Sequence, residues 1–276
     1  MKKIVFYLLF TLYLSANELS FIAFDNENWQ IVHCKEQKCK IIKSEQEPRT
    51  YDYDFDSGSI VYVASDKSVR TIIDGKEQIV LTSQKDAYTQ PLFIENGKKI
   101  MLVKLINGNS KKTEIISMDL FGKNHKMLHY QYSTALEPYS QDGKKIYYAN
   151  VSCVEGCGHI IQEIWEKDIT SGQAKQITML NALSHQPNVD SEGKYLYFSS
   201  NEKGDYHIYR VSLEDYSVKQ LTFGNVTDGF PVASKDGLYF IRRENSKIEI
   251  VRVDKDLELK TLSYNYKKIR NLKVKQ

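Results

Sequence analysis

Proline is scarce in this chain, five residues in 276, and so are cysteine with four and tryptophan with two. Charge of one sign is missing as well: 38 Lys and Arg stand against 35 Asp and Glu. A balance this even supports neither nucleic-acid binding nor a polybasic membrane patch. No apolar run reaches the roughly 20 residues needed to cross a bilayer. Runs of helical period long enough to compete with strands are also absent. The chemistry-bearing motifs are missing in turn: no His-Glu-x-x-His, no phosphate-binding glycine loop, no dinucleotide fingerprint. Six histidines are scattered at 33, 125, 129, 159, 185 and 207. His129 and His207 fall in strand-like runs and read as sheet-face residues. No cofactor is expected.

The longest apolar stretch, Ile4 to Leu14, follows Lys2 and Lys3 and ends at Ser15-Ala16. Basic start, apolar centre and small-residue exit describe a secretory signal peptide. The expected division is a leader over 1–16 and one domain over 17–276, exported to the periplasm or beyond, with no membrane span once the leader is removed. In an oxidising compartment cysteines pair. The four form two local sets, Cys34 with Cys39 and Cys153 with Cys157, and both are expected as disulfides. Recruiting His159 to the second pair gives three ligands where a structural zinc site takes four.

The few prolines are evenly placed. Pro48, Pro91, Pro138, Pro187 and Pro231 lie 43, 47, 49 and 44 residues apart. Each is followed by a short apolar run, a turn with glycine, and a second run: "PLFIENGKKIMLVK", "PYSQDGKKIYYAN", "PNVDSEGKYLYFSS", "PVASKDGLYFIRR" and the looser "PRTYDYDFDSGSIVYVAS". Asn96-Gly97, Asp142-Gly143 and Asp236-Gly237 supply residues suited to hairpin turns. Two further strand-like runs complete each unit, as in "YHIYRVSL" and "VKQLTF". Nineteen tyrosines and eleven phenylalanines suit a pleated, half-buried surface. Four antiparallel strands recurring every 40 to 50 residues mean a β-propeller. Five units start at the prolines, and "SFIAF", "WQIVHC" and "CKIIKS" make three strands of a sixth. Its missing innermost strand is expected from Lys267 to Lys275, an alternating run with Ile269, Leu272 and Val274, so that both termini share one blade. The fold class is therefore all-β, a six-bladed propeller of four-stranded antiparallel blades, expected as a monomer.

The units resemble the propeller repeat of TolB-like periplasmic proteins. Matching residues are Tyr139, Ser140, Asp142-Gly143, Ile164-Trp165, Asp168 and Gln176-Ile177-Thr178 in the fourth unit, with Ile208-Tyr209 and Gln220-Leu221-Thr222 in the fifth. The second proline of the family pattern is absent throughout. Phe93 and Tyr139 alone fill its aromatic position well. The resemblance implies an extracytoplasmic, non-catalytic module that binds an envelope protein or peptide. TolB itself carries a smaller α/β domain ahead of its propeller, for which this chain has no room, so its specific complex is not carried over. The same repeat serves prolyl-oligopeptidase-type peptidases, whose Gly-x-Ser-x-Gly nucleophile elbow is missing here.

Propeller geometry puts the loops that lead into the innermost strands on one face, together with the loops between second and third strands. Residues just before the prolines should line the channel mouth there: Glu47, Gln90, Glu137, His185, Gln186, Asp228 and Phe230. The long loops "INGNSKK" and "NVSCVEGCGHIIQ" belong to the same face, where binding tends to reside. Glu47, Glu137 and Asp228 would give the mouth a negative bias that suits a basic group on the partner. Two alternatives stay open: a hydrolase or lyase with a channel-centred site, and a glycan or small-ligand binder.

Overall fold

The computed structural model describes residues 18–36, 38–131, 133–153, 155–254 and 258–276; the leader expected over 1–16 lies outside the described residues. Six four-stranded antiparallel sheets follow one another around a ring. The first blade joins both ends of the chain: β24 (Lys268–Val274) pairs with β1 (Glu18–Phe24), followed by β2 (Trp29–Lys35) and β3 (Lys38–Ile42). Blade 2 holds β4 (Pro48–Tyr53), β5 (Ile60–Ala64), β6 (Val69–Ile73) and β7 (Lys76–Leu81). Blade 3 holds β8 (Ala87–Ile94), β9 (Lys99–Leu105), β10 (Thr113–Asp119) and β11 (Lys126–Gln131). Blade 4 holds β12 (Ala135–Tyr139), β13 (Lys145–Cys153), β14 (Ile161–Asp168) and β15 (Ala174–Gln176). Blade 5 holds β16 (Ser184–Val189), β17 (Tyr195–Ser200), β18 (His207–Ser212) and β19 (Val218–Gln220). Blade 6 holds β20 (Thr227–Ser234), β21 (Gly237–Glu244), β22 (Lys247–Val253) and β23 (Leu259–Leu262). The only helical turn among the described residues is a 3-10 turn at Ile106–Gly108.

The core lies between blades rather than within them. Six clusters of buried side chains fill the six junctions, from Ile22 and Ile31 against Tyr51 and Tyr62 between blades 1 and 2, to Tyr239 and Ile250 against Phe21 and Leu272 where blade 6 meets blade 1. The closing strand behaves as its pattern predicts, with Ile269, Leu272 and Val274 all buried. Their spacing changes from three to two because the pairing with β1 slips at Asn271, which sits in the left-handed region at φ 55°.

The repeated Gln-Ile-Thr and Gln-Leu-Thr runs stop the outermost strands. Ile177 and Thr178 both donate their N–H to Ile164 O, while Thr178 Oγ1 accepts the N–H of Ile164 at 2.8 Å. Leu221, Thr222 and Ile208 repeat the arrangement, and Gln176 and Gln220 donate from Nε2 to the threonine carbonyls at 2.8 Å. The strands that "AKQITML" and "VKQLTF" suggest therefore end at the glutamine, since the threonine hydroxyl replaces the next ladder bond. Asp168 ends β14 by accepting from the N–H groups of Thr170 and Ser171, bonds that hold its carboxyl below the usual range. At the hairpin turns Asn96 and Gly97 both take positive φ, whereas Asp142 leaves that to Gly143 and instead accepts the N–H of Lys144.

Both disulfides are present. Cys34 and Cys39 face each other across the β2–β3 pair, and Cys153 bonds Cys157 within the loop between β13 and β14.

Candidate functional site: the central channel

The innermost strands β24, β4, β8, β12, β16 and β20 enclose a cavity of about 490 Å³ to which each contributes side chains. Their order of hydrogen bonding explains its shape. Gln90, Glu137, Gln186 and Phe230 each precede a proline, and each sits in the left-handed region, at φ 52°, 54°, 59° and 55°. A bulge at that point in every one of these strands turns the residue out of the ladder. The freed N–H groups are satisfied from the blade before. Gln90 N–H donates to Thr50 Oγ1 at 3.1 Å, Glu137 N–H to Gln90 Oε1 at 2.8 Å, Gln186 N–H to Glu137 Oε2 at 2.7 Å, and Phe230 N–H to Gln186 Oε1 at 2.6 Å. Four links thus stitch blades 2 to 6 together around the axis. A non-glycine residue in this conformation costs on the order of 1–3 kcal/mol, and such strain persists where its surroundings over-determine it.

A second tier lies two residues further along. Asp52 Oδ2 accepts the N–H of Phe93 at 2.8 Å and Asn188 Oδ1 that of Ala233 at 2.9 Å. Lys273, from the closing strand, meets the other oxygen of Asp52 at 2.9 Å. Tyr139 also lines the cavity; burial pushes its hydroxyl up to about 12, and it bonds Gln276 and Val189 O.

The face on which the chain enters the innermost strands, here the front face, carries a second cavity of about 230 Å³ between blades 5 and 6. His185, Tyr206, Phe230, Ile241 and Arg243 help to line it. The His185 ring meets Tyr206 edge-on at 4.9 Å, and its Nδ1 lies 3.5 Å from Glu137 Oε2. Burial raises the Tyr206 hydroxyl above its ordinary value, and the Glu137 charge adds to the effect.

Of the residues expected at the mouth, the structure brings Gln90, Glu137, Gln186 and Phe230 together on the channel, with His185 beside them. Glu47 is not among them. Its carboxylate accepts the N–H of Trp29 at 2.9 Å, and Thr50 takes the ring position in blade 2, because Pro48 lies further upstream in its strand than the other prolines do in theirs. Asp228 is fully buried, and both its oxygens are held at 2.8 Å by Arg242 Nε and Nη2. The expected negative bias is therefore reduced: Asp228 is neutralised by Arg242 and Glu47 lies outside the channel lining on a backbone amide, while Glu137 keeps its charge, held by Gln186 N–H beside His185. Sequence reasoning missed Thr50, Asp52, Asn188 and Lys273. Only the proline count hinted at their level, and it was out of step in blade 2. In the loop after β13, His159 Nε2 donates to Asn181 O at 2.8 Å. No group of three His, Cys, Asp or Glu is arranged for a metal among the described residues.

The closed ring of six blades around a bonded channel defines the class, a six-bladed β-propeller. Residues 50–267 match the TolB β-propeller domain family, and the chain belongs to that family. The TolB of Acinetobacter baumannii superposes with a TM-score of 0.76 at 16% identity, covering 94% of this chain and 66% of that one. A protein assigned as TolB from Agrobacterium tumefaciens gives 0.68 at 16% identity, over 89% and 88% of the two chains. Likeness at this identity is likeness of fold. In sequence, an uncharacterised Agrobacterium fabrum protein, Atu1656, is 29% identical over 99 residues, 36% of this chain and 32% of the relative. The matched stretch thus spans about a third of that relative's length.

Proposed function

We propose that the protein is a non-catalytic, periplasmic binding module that holds an envelope protein or peptide at its channel. One observation carries this reading: the polar groups of the channel are engaged in holding backbone rather than poised for proton transfer. Glu137, Asp52 and Asn188 each accept an N–H from the next blade. That arrangement gives a rigid, pre-formed concavity, and about 490 Å³ falls in the range of ligand-sized clefts. Pre-organisation of this kind reduces the ordering cost of binding. Two disulfides and the basic-apolar amino-terminal run support an exported location.

The test is site-specific photo-crosslinking in intact envelopes, with the reactive residue at His185 on the front mouth, at Gln141 on the opposite mouth, or at Ile79 on the outer wall of blade 2. A discrete protein adduct from a channel position, absent from Ile79, is expected. Adducts from Ile79 alone would place the partner on the rim and end the channel reading.

A further inference from the structure

Three arginines on the front face, from blades 6, 1 and 2, stand without an ion-paired carboxylate among the described residues. Arg270 occupies β24 just before the bulge at Asn271, and Arg49 lies in β4 immediately before Thr50. Arg243, on β21, pairs with Thr227 at the front end of β20 and borders the cavity of about 230 Å³. Arg270 is wedged between blades: its guanidinium lies 3.9 Å over the Trp29 ring, Nη2 donates to Pro48 O at 3.2 Å, and Nε is buried with no partner. Burial holds its pKa below the usual value. Nearby Glu47 opposes that shift, and the Arg49 charge adds to it. Arg270 bonds the carbonyl that precedes Arg49, and Arg243 borders the cavity from a strand packed against β24, so the three guanidiniums lie on neighbouring strands of one face that an anion would complete. None of the described carboxylates nearby is ion-paired with these arginines: Asp228 pairs with Arg242, while Glu137 and Glu47 keep their charge and are held on the N–H groups of Gln186 and Trp29.

We infer that the front mouth recognises an acidic peptide segment, with Arg49, Arg243 and Arg270 as its carboxylate contacts. This rests on the protein-or-peptide reading above and reverses the charge that the sequence led one to expect of the partner. Guanidinium forks match carboxylates in a planar, bidentate way that a lysine does not. A peptide suits the site better than an anionic glycan because the cavity under Arg243 is walled by Tyr206, Phe230 and Ile241. Those walls accept an apolar side chain next to an acidic one.

The experiment measures fluorescence anisotropy with a labelled peptide of alternating Glu and Tyr, its Gln-for-Glu counterpart, and labelled oligogalacturonate, at two salt concentrations. The Glu peptide should bind at least about tenfold more tightly than the Gln peptide, with the difference shrinking at high salt. The double variant Arg49→Gln, Arg243→Gln alters two exposed side chains and should weaken the Glu peptide by about tenfold or more. Lys144→Gln, in the turn at the opposite mouth, should leave it unchanged. Arg270→Gln is to be read only where its melting temperature matches the parent; the exposed pair decides otherwise. Equal binding of the Glu and Gln peptides would overturn the acidic preference and leave the peptide-binding reading standing. Oligogalacturonate binding with no response to either peptide would overturn both. No binding of any probe would overturn this inference, while the crosslinking result still decides the broader one.

Discussion

Ring closure hangs on Leu272. Its side chain is 2% exposed and packs in the cluster that joins blade 6 to blade 1, with Phe21, Tyr239 and Ile250. Leu→Ala at such a site removes the transfer free energy of the deleted carbons and leaves a cavity, together about 2–5 kcal/mol. For a domain of this size each kcal/mol moves the midpoint by roughly 2–4 °C. Leu272→Ala should therefore melt about 10 °C below the parent by near-ultraviolet circular dichroism. Removing everything after Tyr266 goes further. Ile269, Leu272 and Val274 are each buried to 5% exposure or less, and at roughly 1.5–3 kcal/mol apiece they contribute about as much as a whole domain's net stability of 5–15 kcal/mol. The truncated chain should lose its cooperative transition. Leu259→Ala is the control, on the outermost strand of blade 6 with 57% exposure, and should shift stability by no more than about 0.5 kcal/mol. A truncated protein that melts with the parent, or a Leu272→Ala midpoint that matches Leu259→Ala, would refute the closure argument.

Asp228→Asn leaves the Arg242 guanidinium without its buried counter-charge and should cost about 3–5 kcal/mol in urea unfolding; Asp228→Leu with Arg242→Met should recover most of it, and no recovery would mean that the pair does more than neutralise itself. Burial lowers the pKa of His33 and of His129, the first opposed by Glu18 and the second by Gln131. The unfolded chain then takes up protons first as pH falls below about 6.5, so stability should drop on acidification from there, and His33→Gln with His129→Gln should flatten the profile in melts across that window; an unchanged slope would count against it. Opening Cys153–Cys157 by a double change to Ser should cost only about 2 kcal/mol, since the closed loop is short, yet expose the loop to proteolysis; a loop no more sensitive than before would show that His159 and Asn181 hold it alone.

Much of this architecture was legible in the chain because its causes are local. Turn glycines, the recurring Gln-Leu-Thr runs and period-two burial act within a few residues, and their repetition counts the blades. The closing strand was legible for a related reason: a surplus strand at one end matched a deficit at the other. Cys34 and Cys39 could be paired because cross-strand neighbours over a short turn have few alternatives. The site was less so. Proline spacing located Gln90, Glu137, Gln186 and Phe230 but put Glu47 where Thr50 belongs, since a proline can shift along its strand without leaving the repeat. By itself, then, the sequence determined the number of blades, their strands and the shared first blade, all products of short-range patterning. Which mouth residues keep a free charge was decided only in three dimensions. Asp228 is neutralised from a neighbouring strand and Glu137 is fixed by an amide one blade away, while Arg49, Arg243 and Arg270 have no ion-paired carboxylate among the described residues, and the sign of a surface depends on what each charge touches.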